Sequence, residues 1–214
     1  AANGATLATA MDVAKKLGKS AVITADAPGF VVNRLLAKVF GEAARALDAG
    51  TPVAAVERAY APIGLPMGPF ELIDLVGWKV AAHVQDTMVA AFPDRFYASE
   101  NLHRLAEVDG PLSKTKLGKV DDLSKAGKKA VTLGKTAVTE EVILRRVEDE
   151  LASEIKIMLD EHVVAAAEDI DLCLILGAGW PFQAGGATPY LDRVGASERN
   201  FDATFHDPIV AGAR

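Results

Sequence analysis

Asn33 is the residue of this sequence whose type and position best suit the binding of a small molecule. It stands in Asp26-Ala-Pro-Gly-Phe-Val-Val-Asn-Arg34, directly after the apolar run Ala21-Val-Ile-Thr24. A β-prone run, a Pro-Gly break and then a helix are typical of a strand that leaves one domain and a helix that opens the next. An amide at such a junction can offer a ligand both a donor and an acceptor. Alternatively, Asn33 only satisfies local backbone groups at the start of the helix.

The other reactive residues form no recognisable site, so we predict neither a metal nor a cofactor-binding residue. Cys173 is the single cysteine and lies in an apolar segment, which favours a buried thiol in a reducing compartment. The four histidines are scattered, without metal-site spacing. Gly177-Ala-Gly179-Trp-Pro-Phe182 lacks the third glycine of a dinucleotide loop and follows a helical pattern. Asp74 and Asp192 precede Val-Gly turns and are interpreted as caps or backbone ties.

Composition excludes several classes of protein. The net charge of −6 argues against nucleic acid as a partner, because phosphates demand a basic face. No apolar run reaches the roughly 20 residues of a membrane span. The first residues have neither the basic start nor the apolar stretch of a signal peptide. We therefore expect a cytoplasmic protein.

Helical periodicity dominates the chain, and an aromatic content of 6% suits helices better than sheets. Residues 21–24 are the one predicted strand, and a lone strand needs partners. The sequence thus begins, by this interpretation, inside a larger α/β domain. Helices are predicted before Gly18, over residues 30–49, from Thr51-Pro52 to Gly64, over 69–76, from Trp78 through Phe92, around Leu102 and Leu105, from Thr139 to Asp160, and from there to Gly177.

Two parts of the chain resemble each other. Ala46-Leu-Asp48 corresponds to Met158-Leu-Asp160, and Glu42 falls at the same place as Glu154. The next helix ends at a glycine sixteen or seventeen residues later in both parts, at Gly64 and Gly177. This pattern predicts a diverged internal duplication of helical units, each with an apolar face that the other can cover.

Residues 110–138 differ in composition from the rest of the chain. Lysines alternate there with Gly118, Gly127 and Gly134, and apolar periodicity is weak. The segment is interpreted as a solvated linker. The alternative is a basic strip that attracts the phosphates of coenzyme A.

Residues 26–34, together with Gly64-Leu-Pro-Met-Gly-Pro-Phe70 and Asp74-Leu-Val-Gly77, closely resemble the C-terminal domain of the L-3-hydroxyacyl-CoA dehydrogenase family. The resemblance implies a mainly α fold, like the C-terminal domain of 6-phosphogluconate dehydrogenase. It divides the chain into four parts: residues 1–25, the last helix and strand of a Rossmann domain; 26–109, a first helical domain; 110–138, the linker; and 139–214, a second helical domain.

The resemblance also implies an activity, oxidation of (S)-3-hydroxyacyl-CoA by NAD. The family's histidine base, the glutamate that orients it and a serine lie on the Rossmann domain, upstream of this chain. Only the asparagine has a counterpart, Asn33, which hydrogen-bonds the acyl group and helps to aim C3. Two-copy chains resemble multifunctional fatty-oxidation proteins, in which the second copy replaces the partner subunit of a homodimer. The second copy has no amide at the equivalent helix start, so it is structural.

Two hypotheses follow for this chain. In the first it is part of a dehydrogenase, inactive and without NAD affinity when isolated, whose partners are acyl-CoA and an upstream Rossmann domain. The exposed apolar side of Leu7, Met11, Val22 and Ile23 would then favour self-association. In the second it is a non-catalytic helical module that mediates association or docks an acyl-CoA.

Overall fold

The structure is a computed structural model that describes residues 3–108, 112–116 and 119–207. It is mainly helical, as predicted, and contains one antiparallel hairpin, β1–β2. The elements in chain order are α1 (Gly4–Lys16), α2 (Val32–Asp48), α3 (Val53–Ala59), α4 (Pro69–Val76), α5 (Trp78–Ala91), α6 (Glu100–Ala106), β1 (Ser113–Lys116), β2 (Lys119–Leu123), α7 (Lys125–Ala130), α8 (Glu140–Asp160), α9 (Ala167–Ala178), α10 (Ala187–Arg193) and α11 (Ala196–Phe201).

The predicted strand at residues 21–24 is wrong. That segment forms no ladder with the described residues, and the adjacent Ala25 amide donates to the Val163 carbonyl at 2.8 Å. Helix α1 forms as predicted and is capped by Asn3, yet none of its residues is buried. An isolated strand cannot satisfy its backbone groups without a neighbour. Both elements therefore expose apolar side chains that nothing in the described part of the chain covers.

The core lies between the long helices α2 and α8. Helix α8 begins at the predicted cap, Thr139, whose hydroxyl accepts from the Val142 amide. Its buried apolar residues recur at helical spacing and face α2. They are Ile143, Val147, Leu151, Ile155 and Met158. Val142, in the first turn of this helix, is exposed.

Residues 110–138 are not simply a solvated linker. Leu112 and, on β2, Val120 and Leu123 are buried, and β2 packs on α3. The segment after α7 is tied to the α2–α3 turn, because the Gly134 amide donates to the Asp48 carbonyl at 2.7 Å. The lysines and glycines weaken the apolar periodicity here, so the sequence pattern does not identify the apolar side chains that anchor the hairpin. Leu117 and Gly118, within the segment for which a basic strip was the alternative, lie outside the described residues.

Gly50 should not tolerate a side chain. Its φ is +98°, and an added Cβ would overlap the Gly134 carbonyl oxygen. We expect Gly50→Ala to lower the free energy of unfolding by roughly 2–3 kcal/mol, from backbone strain and displacement of the docked segment. Urea unfolding measures the loss. Gly4→Ala is the control, since open space surrounds that position; equal effects of the two substitutions would contradict the prediction.

The predicted duplication is visible in the order of the elements. We call α2–α5 the first repeat and α8–α11 the second repeat. Each consists of a long helix, a second helix and two further helices. The second helix of each repeat is followed by a glycine in the left-handed region, Gly64 or Gly179.

The two repeats contact each other reciprocally. Helix α2 packs on α9 of the second repeat, and α8 packs on α3 of the first. An added Cβ at Gly64 would meet Pro181, and one at Gly179 would meet Pro66. These residues stand in the matching segments Gly64-Leu-Pro66 and Gly179-Trp-Pro181. Exchanged contacts of this kind are typical of a two-fold interface, here within one chain.

Candidate functional site

Asn33 lies in the first turn of α2, between the partly buried Val32 and the fully buried Arg34. Its side chain is exposed and has no hydrogen bond to any of the described residues. Val31, the N-cap residue, provides no side-chain cap either. The amide is therefore available to a ligand, beside the positive end of the helix dipole. This geometry does not fit the alternative that Asn33 satisfies local backbone groups.

A tight turn sets the position of Asn33. Gly29 and Phe30 both have positive φ values, 73° and 47°. An added Cβ at Gly29 would lie 3.0 Å from the Met88 sulfur and the Arg34 amide nitrogen. A glycine is thus required by backbone angle and by space together. Phe30 is held in a conformation that is rare for a bulky residue, with 53% of it exposed next to Asn33.

The next residue, Arg34, fixes the start of α2 to the second repeat. Its side chain is fully buried; Nε donates to Glu154 Oε1 at 2.5 Å and Nη2 to Glu161 Oε2 at 2.8 Å. The guanidinium also lies 4.6 Å from the Phe92 ring centroid. Arg95 binds the same two carboxylates, at 2.5 and 3.0 Å. Two arginines therefore bridge two carboxylates beneath Asn33. We call these four residues the arginine–carboxylate cluster.

Arg34 was not predicted as a site residue. The signal that could have identified it is a charged residue within an apolar helix. Burial would by itself raise the pKa of Glu161, but hydrogen bonds from Arg34 and Arg95 outweigh it and hold that pKa below its usual value. The contribution of Glu161 to stability is therefore complete above about pH 4.5 and is lost as the pH falls through its lowered folded-state pKa.

A second polar arrangement, also missed from the sequence, occurs once in each repeat. Glu57 on α3 accepts from the Phe70 amide at 2.7 Å and so caps α4. Asp171 on α9 accepts from the Thr188 amide at 2.8 Å and caps α10. In both cases a Cβ at the glycine before the capped helix, Gly68 or Gly186, would overlap the carboxylate. The paired carboxylate and glycine support the duplication independently of the apolar pattern.

The Glu57 cap should make stability depend on pH. Burial is the main cause that raises the pKa of Glu57 to about 7. The folded state then binds this proton more tightly than the unfolded state, so stability is greatest below about pH 4.5 and decreases as the pH rises through about 7. We expect a difference of about 1–2 kcal/mol, since Glu57 is only partly buried.

Comparison with Glu57→Gln isolates this effect. The glutamine keeps an acceptor for the Phe70 amide but does not titrate, so the variant should lose that part of the pH dependence. Urea unfolding at several pH values measures it, with the exposed Glu100→Gln as control. Identical pH profiles for wild type and Glu57→Gln would show that the cap is not responsible.

The remaining candidates are structural. Asp192 accepts from the Phe205 and His206 amides at 2.9 and 3.0 Å, as predicted for a backbone tie. Asp74 instead accepts from a side chain, Trp78 Nε1, at 2.5 Å. Cys173 is half-buried rather than fully buried, and this burial raises the pKa of its thiol. The segment before Gly179 is helical, as expected when the dinucleotide loop was rejected. Among the described residues, no group of three or more His, Cys, Asp or Glu could hold a metal ion.

The helices that follow the junction motif are similar to a known domain family. Residues 29–121 match the family described as 3-hydroxyacyl-CoA dehydrogenase, C-terminal domain. The match covers α2 to α6 and most of the β-hairpin, so the family extends into the segment interpreted as a linker.

Curated relatives give a more particular comparison. The fatty acid oxidation complex subunit alpha of Pseudomonas syringae pv. tomato is 32% identical, over 90% of this chain and 29% of the relative. The same subunit of Acinetobacter baumannii is also 32% identical, with the same coverage. The chain thus spans about three tenths of the length of these relatives.

A solved structure supports the fold. The crystal structure of 3-hydroxybutyryl-CoA dehydrogenase from Escherichia coli matches 98% of this chain and 64% of its own, with a TM-score of 0.64 and 18% identity. Identity at that level supports the architecture and not the substrate. In the part of the chain that the structure describes, no helix is long and apolar enough to cross a membrane.

Proposed function

We propose that this chain is the C-terminal part of an NAD-dependent (S)-3-hydroxyacyl-CoA dehydrogenase of fatty-acid oxidation. In that enzyme the 3-hydroxyl of the acyl chain is oxidised to a ketone while NAD is reduced. The observation that carries the proposal is Asn33, an exposed and unpaired amide on a helix start that the arginine–carboxylate cluster fixes in place.

In this proposal Asn33 hydrogen-bonds the acyl group and helps to hold C3 toward the base and the nicotinamide. The base and the NAD site belong to a domain that precedes residue 1. The length of the curated relatives supports such a domain, since this chain covers only 29% of them. The uncovered apolar residues of α1 and the following segment support a packing partner on that side; they include Leu7, Met11, Leu17 and Ile23.

A second candidate function is a non-catalytic module for association or acyl-CoA docking. The same uncovered apolar side supports it, because that side could equally face another copy of the chain. The two candidate functions predict different coding sequences before residue 1. The dehydrogenase requires a coding sequence before residue 1 with a strand followed by Gly-x-Gly-x-x-Gly, the turn that binds a pyrophosphate at a helix N-terminus. Its absence would favour the module.

Calorimetric titration of the isolated chain tests the division of roles. We expect no saturable binding of NAD and weak binding of an acyl-CoA, and we expect Asn33→Ala to weaken the latter. Micromolar saturable binding of NAD to this chain would contradict the proposal, since it would place the cofactor site on these residues.

A further inference from the structure

The seam between α2 and α8 carries charges that can be compared position by position. The interval of 112 residues that separates Lys38 from Glu150 also separates Arg34 from Arg146 and Glu42 from Glu154. These are equivalent positions of the two repeats. Arg34 contacts Glu154, and Lys38 contacts Glu150 at 2.7 Å. The helices therefore run antiparallel, and equivalent positions meet at the middle of the seam.

The outer positions of the seam have the same charge in both repeats. Arg34 and Arg146 are both cationic, and Glu42 and Glu154 are both anionic. Glu42 is the counterpart of Glu154 and forms its ion pair with Arg45 at 2.8 Å. Burial raises the pKa of Glu42 above its usual value, although Arg45 and Arg146 act to lower it. If two first repeats from different chains paired in this way, Arg34 of one would face Glu42 of the other. The outer charges therefore do not distinguish unlike from like pairing.

The central position is the exception. A contact between equivalent residues lies on the local two-fold axis, and there the first repeat has Lys38 while the second has Glu150. Pairing two first repeats would place lysine against lysine, and pairing two second repeats would place glutamate against glutamate. Only 7% of the Lys38 side chain is exposed, so solvent screens a clash between two lysines at this position poorly. Glu150 is 38% exposed, so a clash between two glutamates is screened more strongly.

We propose that the Lys38–Glu150 pair selects the pairing of unlike repeats within one chain and disfavours pairing of like repeats between two chains. The partner that it rejects is thus a second copy of the same chain, paired through like repeats. Lys38 also donates to the Arg95 carbonyl and lies 4.6 Å from the Phe96 ring centroid. Its Nζ is closer to Glu150, at 2.7 Å, than to Glu154, at 3.5 Å, so Glu150 is its main partner across the seam.

Charge reversal in the full chain tests the proposal. Lys38→Glu places two glutamates on the axis, and Glu150→Lys places two lysines there. We expect each single variant to lower the folding equilibrium constant by roughly 10- to 100-fold, and the double variant Lys38→Glu/Glu150→Lys to recover at least about tenfold of the combined loss.

Mixing the two single variants tests selection itself. The two variants are unfolded together and refolded at about 1 mM, which is comparable to the effective concentration of linked repeats. Under these conditions two chains can exchange repeats, and each two-fold axis then again has one lysine and one glutamate. Size-exclusion chromatography should then show a one-to-one dimer that neither variant forms alone. Arg58→Glu mixed with Glu140→Arg is the control, because that pair joins the repeats at an exposed position; it should stay monomeric. No dimer in the Lys38 and Glu150 mixture, or equal dimer in either single variant, would overturn the proposal.

Discussion

Asn33→Ala should lower the turnover of the complete dehydrogenase by roughly 10- to 1000-fold, the range for loss of one positioning or charge-stabilising donor. The effect is expected on kcat, because Asn33 is assigned to alignment of the acyl group in the reacting complex. Folding should be unchanged, since the side chain is exposed and makes no hydrogen bond to the described part of the chain. Steady-state kinetics with an (S)-3-hydroxyacyl-CoA and NAD measures the loss.

The duplication supplies a matched control. Arg145 is the equivalent residue of the second repeat, and 67% of its side chain is exposed. Arg145→Ala should leave turnover within about twofold of wild type. Asn33→Asp keeps the shape and one acceptor but removes the amide donor, so it separates hydrogen-bond donation from packing. Wild-type turnover in Asn33→Ala would contradict the assignment of Asn33 to alignment of the acyl group.

Arg34→Met should be the most destabilising of the changes considered. It removes a fully buried cation from the arginine–carboxylate cluster and leaves Glu154, also fully buried, with fewer partners. Breaking a buried ion pair on one side typically costs about 3–5 kcal/mol, and we expect a loss of that size in the free energy of unfolding. Chemical denaturation of the chain measures it.

A double variant separates the effect of the Arg34–Glu154 charges on stability from the effect of filling the same space. Arg34→Met/Glu154→Met removes both charges, while Arg95 keeps Glu161 and Lys38 keeps Glu150. We expect it to recover much of the lost stability. Arg104→Met, at an exposed pair with Glu100, is the control and should cost less than about 1 kcal/mol. A comparable loss in Arg34→Met and Arg104→Met would show that the cluster does not hold α2.

Local signals predicted much of the fold. Thr139, Pro69 and Gly77 begin or end helices at the expected residues, since caps and backbone restrictions act within a few positions. The duplication was visible because it repeats apolar and glycine positions. The prediction of a strand at residues 21–24 was wrong because strand formation is not a local property. A strand needs a neighbouring strand, which can lie far away in the sequence.

The site was only partly predictable. Asn33 was found because its type and its neighbours are unusual in the local sequence. The contacts of Arg34 with Glu154 and Glu161 span 120 and 127 residues and depend on how α2 packs against α8. The Glu57 and Asp171 caps likewise depend on tertiary approach over a glycine. Residues 110–138 were interpreted from average composition, which does not reveal three buried apolar side chains among many lysines.

NAD reduction by the complete protein, with (S)-3-hydroxyacyl-CoA as substrate, is the most direct test of the proposed function. We expect saturable NADH formation that depends on the 3-hydroxyl group and falls at least about tenfold in Asn33→Ala. A complete protein that folds, binds acyl-CoA and forms no NADH would contradict the dehydrogenase and leave the non-catalytic module in its place.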